Sequence, residues 1–253
     1  MAVDSTMFIW FMDLQKKFNI FGNASNILDF GPQGIWSRNS WGHNNQEAKD
    51  LYKELGIVDY HSIDHIDKSA TIAGDLNYTL KLSKEYDIVT DFGTMEHCFN
   101  IESFLRNMHE GTTENGIMLH VVPTANGYNH GYYNFNSVLF LDLAEINNYE
   151  LLDIRYVPSH NAQGIICNRY FSSKQGKPFK FYSITDMKIL NSVEVMFFEL
   201  LKMRLKIFCQ LRLFPRRQYL KSLILNGDAL FVALRKKENR QFMFPSQGKY
   251  KAS

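Results

Sequence analysis

The chain has 253 residues, 45% of them hydrophobic and 14% aromatic, which suffices for a sizeable core and excludes a disordered chain. A net charge of +2 carries no global signature of a nucleic-acid binder, so no nucleic-acid partner is expected. Its three cysteines, Cys98, Cys167 and Cys209, are widely scattered and form no CxxC pair or disulfide framework, the usage expected of a reducing, cytoplasmic setting.

In chain order, residues 7–21 (MFIWFMDLQKKFNIF) place apolar residues at helical spacing. Their apolar part is too short for a signal-peptide core and follows Asp4 rather than basic residues; no apolar run approaches the length of a bilayer. A soluble, intracellular protein is the expectation. Residues 25–37 (SNILDFGPQGIWS) run from an apolar strand into Asp29 and then into a turn holding Gly31 and Gly34. A helix is predicted within 44–57, closed by Gly56, and a short strand over 59–64, ending at Asp64. Further strands are predicted within 85–93, 115–123 and 150–158, and a last one over 228–237; helices are predicted within 100–111, stopped by Gly111, and 134–149. Residues 158–226 are mostly helical in pattern and too long for a simple connection, so they read as an insertion or cap.

Strands alternating with helices predict a layered α/β fold with a mostly parallel sheet, and the nearly continuous apolar strand cores suit a sheet covered on both faces. In such sheets ligands bind beyond the carboxyl ends of the strands. The residues there are Asp29 to Gly34, then Asp64, then Asp75 in AGDLN, then DFGTMEH at 91–97 and HVVP at 120–123. A nicotinamide fingerprint, G-x-G-x-x-G opening a helix, is absent, since only Gly31-x-x-Gly34 is present with Ile35 and Trp36 following. A nicotinamide-dependent oxidoreductase is thereby disfavoured, and a cofactor without phosphates fits the acidic surroundings better.

In that order, NILDFGPQG, SID, GDLN, YDIVTDFGTMEHCFN and GIMLHVVP resemble class I S-adenosylmethionine-dependent methyltransferases of the small-molecule and sugar-modifying type. The resemblance spans residues 20–157 and the strand within 227–237. Its most specific piece is VTDFGTMEH, similar to the Glu-His that follows the fourth strand in many small-molecule members. The resemblance implies a single Rossmann-like domain: a seven-stranded, mostly parallel sheet with an antiparallel last strand and a helical insertion before it. It implies S-adenosyl-L-methionine as cofactor, with Asp29, Gly31 and Gly34 at its methionine end, Asp64 on the ribose hydroxyls, and Asp75 with Leu76 at the adenine. The family turn is D-x-G-x-G-x-G, and here Gln33 stands at the second glycine and Ile35 at the third. Either Gly34 takes the vacant place by a shift of one position, or Gln33 points outward.

Methyl transfer to a hydroxyl needs a base, and His97, just past the fourth strand, is the best-placed candidate. His120 and His130 come next, with Glu96 as a partner that orients an imidazole, and Tyr128, Tyr132, Tyr133 and Phe135 as the wall of a pocket. The expected acceptor is a small molecule or glycan, since neither [DN]-P-P-[YF] nor a Pro-Cys nucleophile follows the fourth strand. Blander readings stand beside these. The Asp29 turn reads equally as a strand-to-helix turn with Asp29 as a helix cap; Asp64 and Asp75 as exposed loop carboxylates; His97 as a cap or a structural partner of Glu96; His120 as a structural residue; and the tyrosines as packing. The basic residues of 202–221 (Lys202, Arg204, Lys206, Arg212, Arg216, Arg217, Lys221) read as a solvated helix face or as a weak contact with a membrane surface or anionic partner, interrupted at Pro215. The rival to an enzyme is a non-catalytic partner or binding subunit with a degenerate methyltransferase fold.

Overall fold

The computed structural model describes residues 2–36, 47–125, 130–157, 182–183 and 228–246. Its elements are β1 (Ala2–Asp4), α1 (Ser5–Phe18), β2 (Asn26–Phe30), β3 (Gly34–Trp36), α2 (Ala48–Glu54), β4 (Asp59–Asp64), β5 (Ile72–Ala73), β6 (Tyr86–Phe92), α3 (Ile101–Gly111), β7 (Thr112–Ala125), α4 (Ser137–Ile146), β8 (Tyr149–Val157), β9 (Tyr182–Ser183) and β10 (Asp228–Lys236). The main sheet has the order β5-β4-β2-β6-β7-β10-β8-β9. Pairings among β5, β4, β2, β6 and β7 are parallel, and β10 lies antiparallel to both β7 and β8. These seven strands are the predicted sheet with its antiparallel last strand; the two residues of β9 add a short antiparallel ladder outside β8. Apart from those two residues, the predicted insertion at 158–226 lies outside the described residues, and so does the basic stretch 202–221. No helix among the described residues is long and apolar enough to cross a membrane.

Apolar residues on both faces of the central strands require two covering layers. On one face Met7, Trp10, Phe11 and Leu14, spaced as one stripe of α1, join Ala48 and Tyr52 of α2 against Ile27, Ile88 and Phe231. On the other, Phe104 and Met108 of α3 and Phe140 and Leu143 of α4 pack on Leu28, Phe30, Val89 and Val232. Trp10 also donates its indole N–H to Asp153 Oδ2 at 2.8 Å, tying α1 to β8.

Helix ends follow local chemistry. Gly56, just past α2, takes φ +94°, a conformation open to glycine without a Cβ penalty. Asn100 and Asn136 cap α3 and α4 by accepting from Ser103 N and Val138 N. β7 begins at Thr112, earlier than predicted, because Tyr86 pairs with Thr112 and Ile88 with Ile117 across an irregularity that holds Asn115 at φ +65°.

Beneath this edge Lys236 is buried, donating to the carbonyls of His109 (2.8 Å) and Thr112 (2.7 Å), where α3 turns into β7. Lys236→Met would leave both carbonyls without that donor. A loss of about 1–3 kcal/mol in urea unfolding is expected; an unchanged midpoint would mean that neither carbonyl depends on it.

Candidate functional site

β2 lies between β4 and β6, so the turn after it sits in the middle of the carboxyl edge. Gly31 adopts φ +89° and donates its N–H to Ile63 O of β4 at 2.8 Å. A Cβ there would stand 2.8 Å from Thr94 Oγ1, whose hydroxyl donates to Phe30 O at 2.5 Å. The turns after β2 and β6 are therefore in contact, and only glycine fits between them. Gln33 points inward rather than outward: it is buried, its Nε2 donates to Gly31 O at 3.1 Å, and its Oε1 has no partner among the described residues. Gly34 opens β3, which pairs with β1, instead of opening a helix.

Asp29 is not a helix cap. It belongs to β2, opposite Ser62 and Thr90, and is fully buried. Its Oδ1 accepts from Tyr52 Oη at 3.1 Å and from Thr90 Oγ1, the Tyr60 hydroxyl lies beside it, and Oδ2 has no partner among the described residues. Burial pushes its pKa up to about 7 against the pull of these hydroxyls.

The next two carboxylates organise their own turns. Asp64 Oδ1 accepts from the amides of Ile66 (2.7 Å) and Asp67 (2.8 Å), and no described residue donates to its Oδ2. Asp75 Oδ1 accepts from the backbone and side-chain nitrogens of Asn77, which hold its pKa below the usual value. Asn77 in turn accepts from Phe99 N and Asn100 N, fastening this loop to the start of α3. Leu76 is buried in the core beneath it. The Cys98 thiol is pushed up to about 12, by burial first and then by the charges of Asp91, Asp75, Glu96 and Asp64. One sulfur thus senses carboxylates from the ends of β4, β5 and β6, and stays protonated at neutral pH.

Sequence reasoning placed Asp91 at a strand end, as the first residue of DFGTMEH, but gave it no role. It accepts from Thr94 N (3.1 Å) and Met95 N (3.0 Å) through Oδ1, and its Oδ2 is 3.1 Å from His120 Nδ1, the residue paired with it across the β6–β7 ladder. The signal was a pair of polar residues, Thr90 and Asp91, set between the apolar Ile88–Val89 and Phe92 near the end of the strand. Asp91 thereby fixes the single 3-10 turn Met95–His97 that carries Glu96.

Glu96, His97 and His130, all read from the sequence as candidates, are brought together. Glu96 is 1% exposed, with Oε1 3.2 Å from His130 Nε2 and 3.9 Å from His97 Nε2, while Oε2 has no partner among the described residues. Burial, then the charge of Asp91, raises its pKa to about 8. The two imidazoles are half exposed and meet edge to face with centroids 5.0 Å apart. The 130–133 loop folds onto this acid: Tyr132 N donates to Glu96 O at 2.7 Å, and Gly131 packs so closely that a Cβ would strike the same carbonyl. Phe99 and Tyr132, 74% and 71% exposed, stand edge to face beside it, and Tyr133 Oη donates to Phe99 O. Phe135 is buried in the core, and Tyr128 lies outside the described residues.

No family model matches the chain, and no curated protein matches it. Solved structures do. A putative sarcosine dimethylglycine methyltransferase from Galdieria sulphuraria superposes with a TM-score of 0.51 at 10% identity, over 90% of this chain and 84% of that one. A putative methyltransferase from Bacillus halodurans gives 0.46 at 13% identity, over 90% and 100% of the two chains. The N-methyltransferase NodS from Bradyrhizobium japonicum, in complex with S-adenosylhomocysteine, gives 0.45 at 10% identity, over 93% and 89%. The fold is that of a class I methyltransferase. At such identities the likeness is one of fold, carried by the Galdieria sulphuraria structure.

Proposed function

We propose that this chain transfers a methyl group from S-adenosyl-L-methionine to an oxygen or nitrogen of a small metabolite or sugar. The observation that carries the reading is one juxtaposition. The glycine turn at Gly31, the carboxylates Asp64 and Asp75, and the Glu96–His97–His130 group all lie at the carboxyl ends of the parallel strands, where open α/β sheets take their ligands.

The cofactor, when bound, supplies an electrophilic methyl group on a sulfonium. The residues present fit it. Gly31 offers backbone without a side chain, and Asp29 Oδ2 and Gln33 Oε1 are buried acceptors without a donor among the described residues, the complement of an ammonium group. Asp64 retains Oδ2 for a pair of ribose hydroxyls, and Asp75 accepts from an exocyclic amine, with Leu76 as an apolar floor. At the acceptor end, burial and the neighbouring His130 lower the pKa of His97, keeping it neutral and able to take a proton from an acceptor hydroxyl. His130 is oriented by Glu96, and Phe99 and Tyr132 offer flat apolar faces to a ring. Most of the rate would come from positioning, since an in-line displacement needs little else.

One observation favours the second reading, a non-catalytic subunit that kept the fold. The Gln33 amide lies inside the turn, and β3 follows where a helix should open. Calorimetric titration with S-adenosylhomocysteine decides between them. Micromolar binding by the wild type, weakened about tenfold or more in Asp64→Asn, is expected of the enzyme. The asparagine keeps the acceptor to Ile66 N and Asp67 N and removes only the charge. Absence of binding by the wild type would end the methyltransferase reading in favour of the subunit.

A further inference from the structure

Methyl transfer by itself asks for no metal, yet Glu96, His97 and His130 have the arrangement of a cation site. One ligand atom from each residue lies within 4.8 Å of the other two. Donors about 2.0–2.2 Å from a common ion stand roughly 3 Å apart, so the 3.2 Å between Glu96 Oε1 and His130 Nε2 already matches. The 3.9 Å to His97 Nε2 closes with a small turn of a half-exposed imidazole. A second and independent sign is Glu96 Oε2, which is buried on a 1% exposed side chain and has no partner among the described residues. A buried carboxylate oxygen without a donor among the described residues is costly, and a cation held by both oxygens of Glu96 would satisfy it.

We propose that Glu96, His97 and His130 bind a divalent transition-metal cation of the zinc type. Two imidazoles and one carboxylate are ligands for a borderline ion; magnesium and calcium, which demand oxygens, are disfavoured. The carboxylate is held rigidly, since Asp91 fixes the turn beneath it and Tyr132 N binds its backbone carbonyl. Both imidazoles are half exposed, so an ion has an access route from solvent.

The consequence for the reaction rests on the methyl-transfer reading; the binding does not. An ion held here would take the acceptor oxygen as a further ligand and lower the pKa of its hydroxyl, the proton leaving to water. The three side chains would then act on the acceptor through the metal, in place of proton uptake by His97 alone. A hydroxyl acceptor is favoured over an amine, which needs no such activation.

The test uses the full chain, stripped with a chelator and dialysed. Zn²⁺ is titrated by calorimetry, Mg²⁺ in a parallel run, and Co²⁺ is added as a spectroscopic probe. One Zn²⁺ per chain, no heat with Mg²⁺, and visible Co²⁺ absorption are expected. Affinity should fall about tenfold or more in His130→Ala and in Glu96→Gln. His130 is half exposed, so its variant leaves the core intact; a matched thermal melt verifies this. No Zn²⁺ binding, or binding equal in wild type and in His130→Ala, overturns the proposal. S-adenosylhomocysteine is titrated into the same stripped protein. Product binding without Zn²⁺ binding removes the metal site alone, and Zn²⁺ binding without product binding removes the methyl-transfer reading alone.

Discussion

Replacing Asp29 by asparagine should make the protein's stability less dependent on pH between 4 and 8. The folded carboxyl has a pKa of about 7 against an ordinary 3.8, because burial penalises its charge. Between those values the folded chain holds a proton that the unfolded chain has released. Stability contributed by this group is therefore present at low pH and is lost as pH rises through about 7. Tyr52 on α2, Tyr60 on β4 and Thr90 on β6 face the group, and both tyrosines stay protonated because burial raises them further. The difference in unfolding free energy, Asp29→Asn minus wild type, should rise by roughly 3–4 kcal/mol from pH 4 to pH 8. Using the difference cancels every other titrating group. Urea unfolding at unit pH intervals measures it, and a difference that stays flat would show that Asp29 ionises normally. The asparagine oxygen still accepts from Thr90 and Tyr52, so the fold is expected to survive.

The second large effect is at Gly31. Valine there must adopt φ +89°, which costs a β-branched residue about 1–3 kcal/mol. Its Cβ would also press on Thr94 Oγ1 and displace the hydroxyl from Phe30 O. A total loss of about 2–4 kcal/mol is expected, together with loss of S-adenosylhomocysteine binding by about a hundredfold, because the two turns separate where the cofactor would lie. Gly56→Ala is the control. Gly56 has φ +94° but nothing within 4 Å of the added carbon, so it should cost about 1 kcal/mol and leave binding untouched. Gly31→Val that binds product as tightly as wild type would remove the turn from the cofactor site.

Part of this was legible in the residues alone. β4 runs Asp59–Asp64 as predicted, a short segment ending at the carboxylate Asp64. β10 was equally plain, being apolar throughout and flanked by Asp228 and a basic end. The inward turn of Gln33 was not, since a glutamine beside glycine carries no sign of which way it faces. The burial of Asp29 was not legible either. It depends on Tyr52 from α2 and Thr90 from β6, partners brought in by tertiary packing and strand pairing rather than by neighbours in the chain. Glu96 and His97 are adjacent and were read together, whereas His130 joins them only because Gly131 lets the later loop lie against the Glu96 carbonyl.

The position of β10 has a consequence for how the molecule is made. β7 and β8 are not neighbours; each pairs with β10, which enters antiparallel between them. Until Asp228–Lys236 has emerged and inserted, each presents an open row of backbone donors and acceptors, the template on which separate chains join. Sheet growth thus cannot follow chain order outward from β2. The closing step is a late, long-range pairing, of the kind that folds slowly. A nascent chain halted before residue 228 would be left with two adhesive edges rather than a smaller finished domain.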